Sequence, residues 1–242
     1  TPIMKKHKNT VAKFGGLIDS YTIDEAVADK AVVPLLYEGR HVDQTVNRDA
    51  IDTYFDRVCE PLSEYQTTDL KKKFSRSDQI YQTEQRLQEI AWDVSNHFSN
   101  HWQGTGFKAQ LTAAYKASAI KLKKYIDEIG KVSCEVVISP PDDREGHAEV
   151  DEESSDEVVA FWRKQMSRYG TEKKYNDSII GRFLYDNDPE IIIVVDKLLT
   201  GFNAPRNTVL YINRKLEGHN LLQAMARVNR IYPGKDYGDV VD

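Results

Sequence analysis

The second half of the chain alternates short apolar runs with longer stretches in which apolar residues recur every three or four positions. The apolar runs predict strands at Phe107–Tyr115, Cys134–Ser139, Ile191–Val195 and Thr208–Asn213. The periodic stretches predict helices at Ser118–Gly130, Glu157–Tyr169 and His219–Ile231. Strands that alternate with helices indicate an α/β domain on a parallel sheet, from about residue 104 onward.

The start of the chain carries two local signals. Thr22 and Glu25 have the spacing of a capping box, which predicts the beginning of a short helix. The apolar segment Ala31–Glu38 predicts a strand. Because Pro34 has no backbone N–H to donate, this strand is expected at the edge of a sheet or as an irregular strand.

Between residues 48 and 101 the apolar spacing is helical. Ile51, Tyr54, Phe55 and Val58 lie on one helical face. A second stretch places further apolar residues on a similar face: Ile80, Leu87, Ile90, Ala91, Val94 and Phe98. We therefore expect a linker and mainly helical segment at 1–103, followed by the sheet domain at 104–242. Both ends of the chain interrupt a sequence pattern, so we also expect a piece of a longer protein whose sheet domain is cut short at its C-terminal end.

Composition narrows the class of protein. No apolar stretch approaches the roughly 20 residues of a membrane helix, so no membrane association is expected. Cys59 and Cys134 form no CxxC motif, which favours a reducing, cytoplasmic location. The net charge of −5 argues against a general nucleic-acid coat protein. However, residues 142–157 contain nine acidic residues and one basic residue, which give a net charge of −8. The rest of the chain therefore has a net charge of +3.

The segment VVDKLLTGFNAP, residues 194–205, places polar groups after a buried strand. Ligands bind at the carboxyl ends of parallel strands, and Gly201 allows the backbone to approach a ligand closely. Thr200 and Asn203 offer a hydroxyl and an amide to phosphate or sugar. An ordinary junction between strand and loop explains the same residues about as well.

The segment QAMARVNR, residues 223–230, is expected on the last helix. There Gln223, Arg227 and Arg230 would share one face, opposite an apolar face. Two guanidinium groups displayed together suit a phosphate cluster, because each is planar, always charged and able to bind two oxygens. A solvated basic face on an amphipathic helix is the alternative, and for an isolated pattern it would be preferred.

The two segments together have the order of motifs V and VI of superfamily two helicases and translocases. Four segments, IDSYTIDEAVADKAVVPLLYEGR, GFKAQLTAAYKASAIKL, VVDKLLTGFNAP and LLQAMARVNR, resemble in this order the motor and endonuclease (R) subunit of type I restriction enzymes. The resemblance extends over essentially the whole chain and begins with Thr1-Pro2, which resembles the tail of motif III. It implies a RecA-like fold that forms the second motor lobe.

The resemblance also implies roles for individual residues. Arg230 and Arg227 would contact the γ-phosphate as arginine fingers, and Gln223 would couple the nucleotide state to the DNA path. Gly201 and Asn203 would face the nucleotide, although many relatives have Asp at the position of Asn203. Three further residues are expected to contact DNA: Thr200, Lys116 and Ser118.

For the parent protein, the resemblance implies ATP-dependent translocation and cleavage of double-stranded DNA, in a complex with methylation and specificity subunits. ATP and Mg²⁺ would be bound mainly by a first lobe outside this chain, because no GxxxxGK[ST] loop occurs in it. We therefore expect the chain alone to be inactive. The alternatives are a non-catalytic RecA-like module that binds DNA or partner proteins, and a different superfamily two ATPase such as a repair helicase.

Overall fold

The computed structural model describes residues 4–5, 8–9, 15, 21–40, 84–141, 156–199 and 201–242. The strands are β1 (Met4–Lys5), β2 (Lys8–Asn9), β3 (Leu35–Glu38), β4 (Lys108–Ala113), β5 (Cys134–Val137), β6 (Ile191–Val194), β7 (Asn207–Asn213) and β8 (Gly238–Val241). The helices are α1 (Ile23–Ala28), α2 (Glu84–His101), α3 (Lys116–Ile129), α4 (Asp156–Tyr169), α5 (Glu172–Tyr185) and α6 (His219–Met225). The expected helix at 48–83 lies outside the described residues.

Six strands form one sheet in the order β3-β8-β7-β4-β6-β5, and every neighbouring pair is parallel. β1 and β2 form a separate antiparallel pair. All residues of β4, β6 and β7 are buried. Strands that are apolar along their whole length expose apolar side chains on both faces of the sheet, so helices have to cover both faces. The prediction of an α/β fold on a parallel sheet is confirmed.

Alternating side chains of β6 divide the core into two halves. Ile191 and Ile193 pack with residues of α2 and α3 on one face of the sheet. Ile192 and Val194 pack with residues of α5 and α6 on the other face. The domain therefore has three layers, helix, sheet and helix. No helix in the described part of the chain is long and apolar enough to cross a membrane.

Two helix-capping signals in the sequence are present in the structure. Thr22 and Glu25 make both hydrogen bonds of a capping box at the start of α1. Gly130 ends α3 with φ +70°, in the left-handed region where glycine is favoured. These signals fix the ends of two helices without help from distant residues.

Residues on the N-terminal side of the expected division at 103 contribute to the sheet domain. β3 pairs with β8 at the edge of the sheet, the position that Pro34 favoured. α2 covers the same face as α3. Directly after β3, Arg40 donates to both carboxylate oxygens of Asp93 in α2, at 2.7 Å each. β3 and α2 are thus parts of one packed structure with the strands that follow residue 104.

Two elements were missed by the sequence analysis. α5 begins after the N-cap Thr171, and its buried residues Tyr175, Ile179 and Phe183 recur every four positions. Their spacing is a helical signal, which the many charged neighbours obscured. β8 was not predicted, although it lies between β3 and β7 inside the sheet.

The last predicted helix is shorter than expected, which corrects the arrangement of the arginines. α6 ends at Met225, and the chain continues in tight turns in which Arg227 N donates to Ala224 O at 2.9 Å. The carbonyl of Asn229 accepts from Val33 N at 2.8 Å, so the chain is bent toward the segment before β3. Gln223, Arg227 and Arg230 therefore do not share the face of one helix.

Candidate functional site

The connection between β6 and β7 forms the first part of the site. It leaves the carboxyl end of β6 and returns to the amino end of β7, as a parallel pairing through β4 requires. Gly201 has φ +69°, a conformation in which most side chains would be strained. Phe202 is buried in the core, whereas Asn203 is exposed. Thr200, the expected DNA contact in this loop, lies outside the described residues.

The two arginines reach this loop from the turns after α6. Arg227 donates through Nη1 to the carbonyl of Phe202 at 2.6 Å. Arg230 donates through Nη1 to Oδ1 of Asn203, also at 2.6 Å. The structure thus brings together three of the residues singled out in the sequence, Asn203, Arg227 and Arg230, although not by way of a common helix face.

The positive charges of these arginines are not neutralised locally. Within the described residues neither guanidinium has a carboxylate in ion-pair contact, and both bind neutral oxygens. Nε of Arg230 is buried without a hydrogen-bond partner. Burial, and then the neighbouring Arg230, lower the pKa of Arg227 below its ordinary value, but an arginine stays charged. Such a pair fits an anion with several oxygens, such as a polyphosphate.

Gln223 contacts Arg227 through its backbone carbonyl. Its carbonyl accepts from Nε of Arg227 at 3.1 Å, while its side-chain amide lies 2.6 Å from Nε2 of His219. The expected coupling role is not tested by these contacts. They do connect the end of α6 to the first arginine.

Lys116 and Ser118 lie in the first turn of α3, just after the carboxyl end of β4. Lys116 is 4% exposed, and its ammonium group donates to the carbonyl of Pro140 at 2.7 Å. Ser118 is 1% exposed. In this conformation neither side chain is presented to a nucleic acid, so their contact with DNA stays a prediction that requires a change at this helix end.

Lys235 completes the site and was missed in the sequence. It is 6% exposed, and its Nζ donates to the carbonyls of Asn207 at 2.7 Å and Pro205 at 3.2 Å. Burial, together with the charge of Arg230, lowers its pKa to about 7. In the sequence it follows Pro233-Gly234 and looks like a turn lysine, because the carbonyls that surround its ammonium group belong to residues about 30 positions earlier.

This pKa predicts how stability depends on pH. Between about 7 and the ordinary value of 10.5, the unfolded chain holds a proton on Lys235 that the folded chain lacks. The free energy of unfolding should therefore rise with pH in this window, by at most about 1.4 kcal/mol per pH unit from this group. Urea denaturation between pH 7 and pH 9 should show a shallower rise for Lys235→Met. The exposed control Lys173→Met should keep the original slope, and equal slopes in both variants would contradict the prediction.

The described residues contain no group of three or more His, Cys, Asp or Glu side chains that could hold a metal ion. His97 and His101 stack at 4.7 Å, but His97 is buried and its Nδ1 lies 2.8 Å from the hydroxyl of Tyr211. His97 thus joins α2 to β7. What the described site offers to a ligand is cationic and amide groups.

Two family models match the chain. The model for type I restriction enzyme subunit R domain 3 matches residues 96–242. The model for SWI2/SNF2 ATPases matches residues 1–68. A solved structure described as the fragment of an HsdR subunit of a type I restriction enzyme from Vibrio vulnificus superposes with a TM-score of 0.60 at 14% identity, over 100% of this chain and 38% of that one. This similarity supports the fold.

Curated relatives carry matching names. The type I restriction enzyme HindI endonuclease subunit of Haemophilus influenzae is 28% identical over 240 residues, which cover 97% of this chain and 21% of that protein. A Methanocaldococcus jannaschii protein, named as the MjaIXP endonuclease subunit, is 30% identical over 244 residues, or 100% of this chain and 22% of the relative. The chain spans about a quarter or less of these relatives. Since one family model covers more than half of it, the chain belongs to the R subunit family of type I restriction enzymes.

Proposed function

We propose that this chain is part of the ATP-dependent DNA translocase and endonuclease subunit of a type I restriction-modification system, and that it supplies the second motor lobe. The observation that supports this most is the pair Arg227 and Arg230, which face the loop after β6 with no carboxylate in contact among the described residues. A lobe that completes a nucleotide site across a cleft needs such free positive charge.

In this proposal Arg230 and Arg227 contact the γ-phosphate and stabilise the charge that develops during phosphoryl transfer. Each arginine now binds a neutral oxygen, from Asn203 or from the Phe202 carbonyl. Phosphate oxygens would replace these acceptors with a stronger, charge-assisted bond, and no ion pair among the described residues would have to break first. Gln223 is connected to Arg227 through its carbonyl and would transmit the nucleotide state.

The loop around Gly201 and Asn203 faces the nucleotide in this proposal, and Thr200 contacts a DNA phosphate. Lys116 and Ser118 are proposed as further DNA contacts once the start of α3 becomes accessible. ATP is the cofactor, with Mg²⁺ to neutralise its phosphates, and both are held mainly by the other lobe. This chain's own contribution is the pair of guanidinium groups, because the described part offers no cluster of metal ligands.

The proposed partners are double-stranded DNA and the methylation and specificity subunits of a restriction complex, in the cytoplasm. The charge distribution supports contact with DNA, since the chain outside residues 142–157 is +3. A motor needs a basic groove along the DNA backbone rather than a basic protein overall.

The test uses the full-length subunit that contains this chain, assembled with its methylation and specificity subunits. Linear double-stranded DNA should stimulate ATP hydrolysis, and a triplex-forming oligonucleotide should be displaced after a lag that grows with its distance from the recognition site. DNA binding without ATP turnover would overturn the proposal in favour of a non-catalytic binding module. ATP turnover without the distance-dependent lag, and without restriction activity, would point to another superfamily two ATPase.

A further inference from the structure

We propose that Lys235 is a positioning residue for the two arginines. It fixes the far end of the Gly201–Asn207 loop, so that Phe202 and Asn203 hold Arg227 and Arg230 where the nucleotide binds. This inference rests on the proposed function, and it adds a residue that lies outside the paired motif segments.

Three basic side chains from the segment after α6 each hold a different point of the same loop. Arg227 binds the carbonyl of Phe202, and Arg230 binds the side chain of Asn203. Lys235 binds the carbonyls of Pro205 and Asn207. The first two attachments involve groups that a nucleotide would recruit, whereas the third is buried and would remain.

The loop end that Lys235 holds is itself firmly placed. Asn207 N donates to the carbonyl of Ala204 at 2.9 Å, which closes a tight turn, and both residues are buried. Two carbonyls of this turn point at one ammonium group, so removal of Lys235 takes a donor from both at once. A buried carbonyl without a donor is unfavourable, and the turn should shift to find water.

A shift of the turn at Pro205 should also move Asn203, which lies two residues earlier. Asn203 and Phe202 lie only a few residues before Pro205, and they are the acceptors for the arginines. Loss of the anchor should therefore misplace both guanidinium groups, and a displacement of about 1 Å is enough to lower turnover strongly. Lys235 acts through the loop and does not touch the nucleotide in this account.

The test compares Lys235→Met with Lys173→Met, an exposed lysine of α5, in the full-length subunit. Lys235→Met should lower DNA-stimulated ATP turnover about tenfold, and Lys173→Met should leave it unchanged. Hydrogen exchange of peptides within 201–207 should become faster in Lys235→Met. If Lys235→Met does not fold, Lys235→Gln takes its place, since it keeps one donor group on a shorter side chain.

A double-mutant cycle with Arg230→Ala separates positioning from general destabilisation. If Lys235 acts through the arginines, adding Lys235→Met to Arg230→Ala should lower turnover by well under tenfold further, because only Arg227 is then left to be misplaced. A full tenfold further loss would overturn the inference, as would unchanged turnover in Lys235→Met. Failure of the proposed function has a different signature: Arg230→Ala alone would keep full turnover, whatever hydrogen exchange shows at the loop.

Discussion

Replacing Arg230 with alanine in the full-length subunit should lower DNA-stimulated ATP turnover by about 100-fold or more, and Arg227→Ala should have a similar effect. Removing a charged group that stabilises phosphoryl transfer typically has a consequence of this size. Because each arginine binds neutral oxygens and no carboxylate among the described residues, folding should suffer little from its loss. Steady-state ATPase measurements at saturating DNA give the turnover number directly.

The matched control is Arg163→Ala, an exposed arginine on α4. It removes the same charge from the lobe at a different place, so turnover should remain within twofold of the unaltered protein. Circular dichroism should confirm that all three variants are folded. Unchanged turnover in both Arg227→Ala and Arg230→Ala would exclude an arginine-finger role for this pair.

The second large expected effect is a loss of stability when Gly238, the first residue of β8, is replaced with alanine. A Cβ atom placed there would lie 2.3 Å from the carbonyl oxygen of Val228 and 2.9 Å from Cδ2 of Leu35. The oxygen belongs to the backbone and cannot rotate away, so Gly238→Ala should force β8 apart from its surroundings. We expect a loss of about 3 kcal/mol or more in the free energy of unfolding. Urea denaturation at fixed pH measures this loss.

Gly181→Ala is the control in the same domain and should raise the free energy of unfolding. Gly181 lies inside α5, has no positive φ, and a Cβ there would meet nothing within 4 Å. Alanine should stabilise the helix by about 0.5–1 kcal/mol, since glycine loses more conformational freedom on folding. A similar loss of stability in both alanine variants would show that contact at Gly238 is not the cause.

Much of the sheet could be predicted because its signals are local. The apolar run at 191–195 and the helix end at Gly130 each depend on a few neighbouring residues. The family resemblance likewise rested on short segments, and the family match confirms it. Asn203, Arg227 and Arg230 were singled out in the sequence because amide and guanidinium groups suit phosphate oxygens. The structure places Arg230 in contact with Asn203, and their role in nucleotide binding stays a prediction.

The remaining features depend on residues that are distant in sequence. The periodic pattern after Met225 continues as if it were helical, but contacts with the segment before β3 turn the chain away. His97 is buried with a polar partner from far along the chain, the hydroxyl of Tyr211, 114 positions later. Lys235 is buried because the loop before β7 folds over it. None of these environments has a local signature.

The pairing of β3 with β8 has a consequence for synthesis on the ribosome. β8 lies between β3 and β7, so β3 has no partner in the sheet until residues 238–241 have been made. About 200 residues must therefore emerge before this edge can close, a long-range contact of the kind that slows folding. A nascent chain stopped just before Gly238 would lack two strands of the six, and the apolar face of α2 would lose part of its cover. This edge of the sheet thus closes only after residues 238–241 have left the exit tunnel.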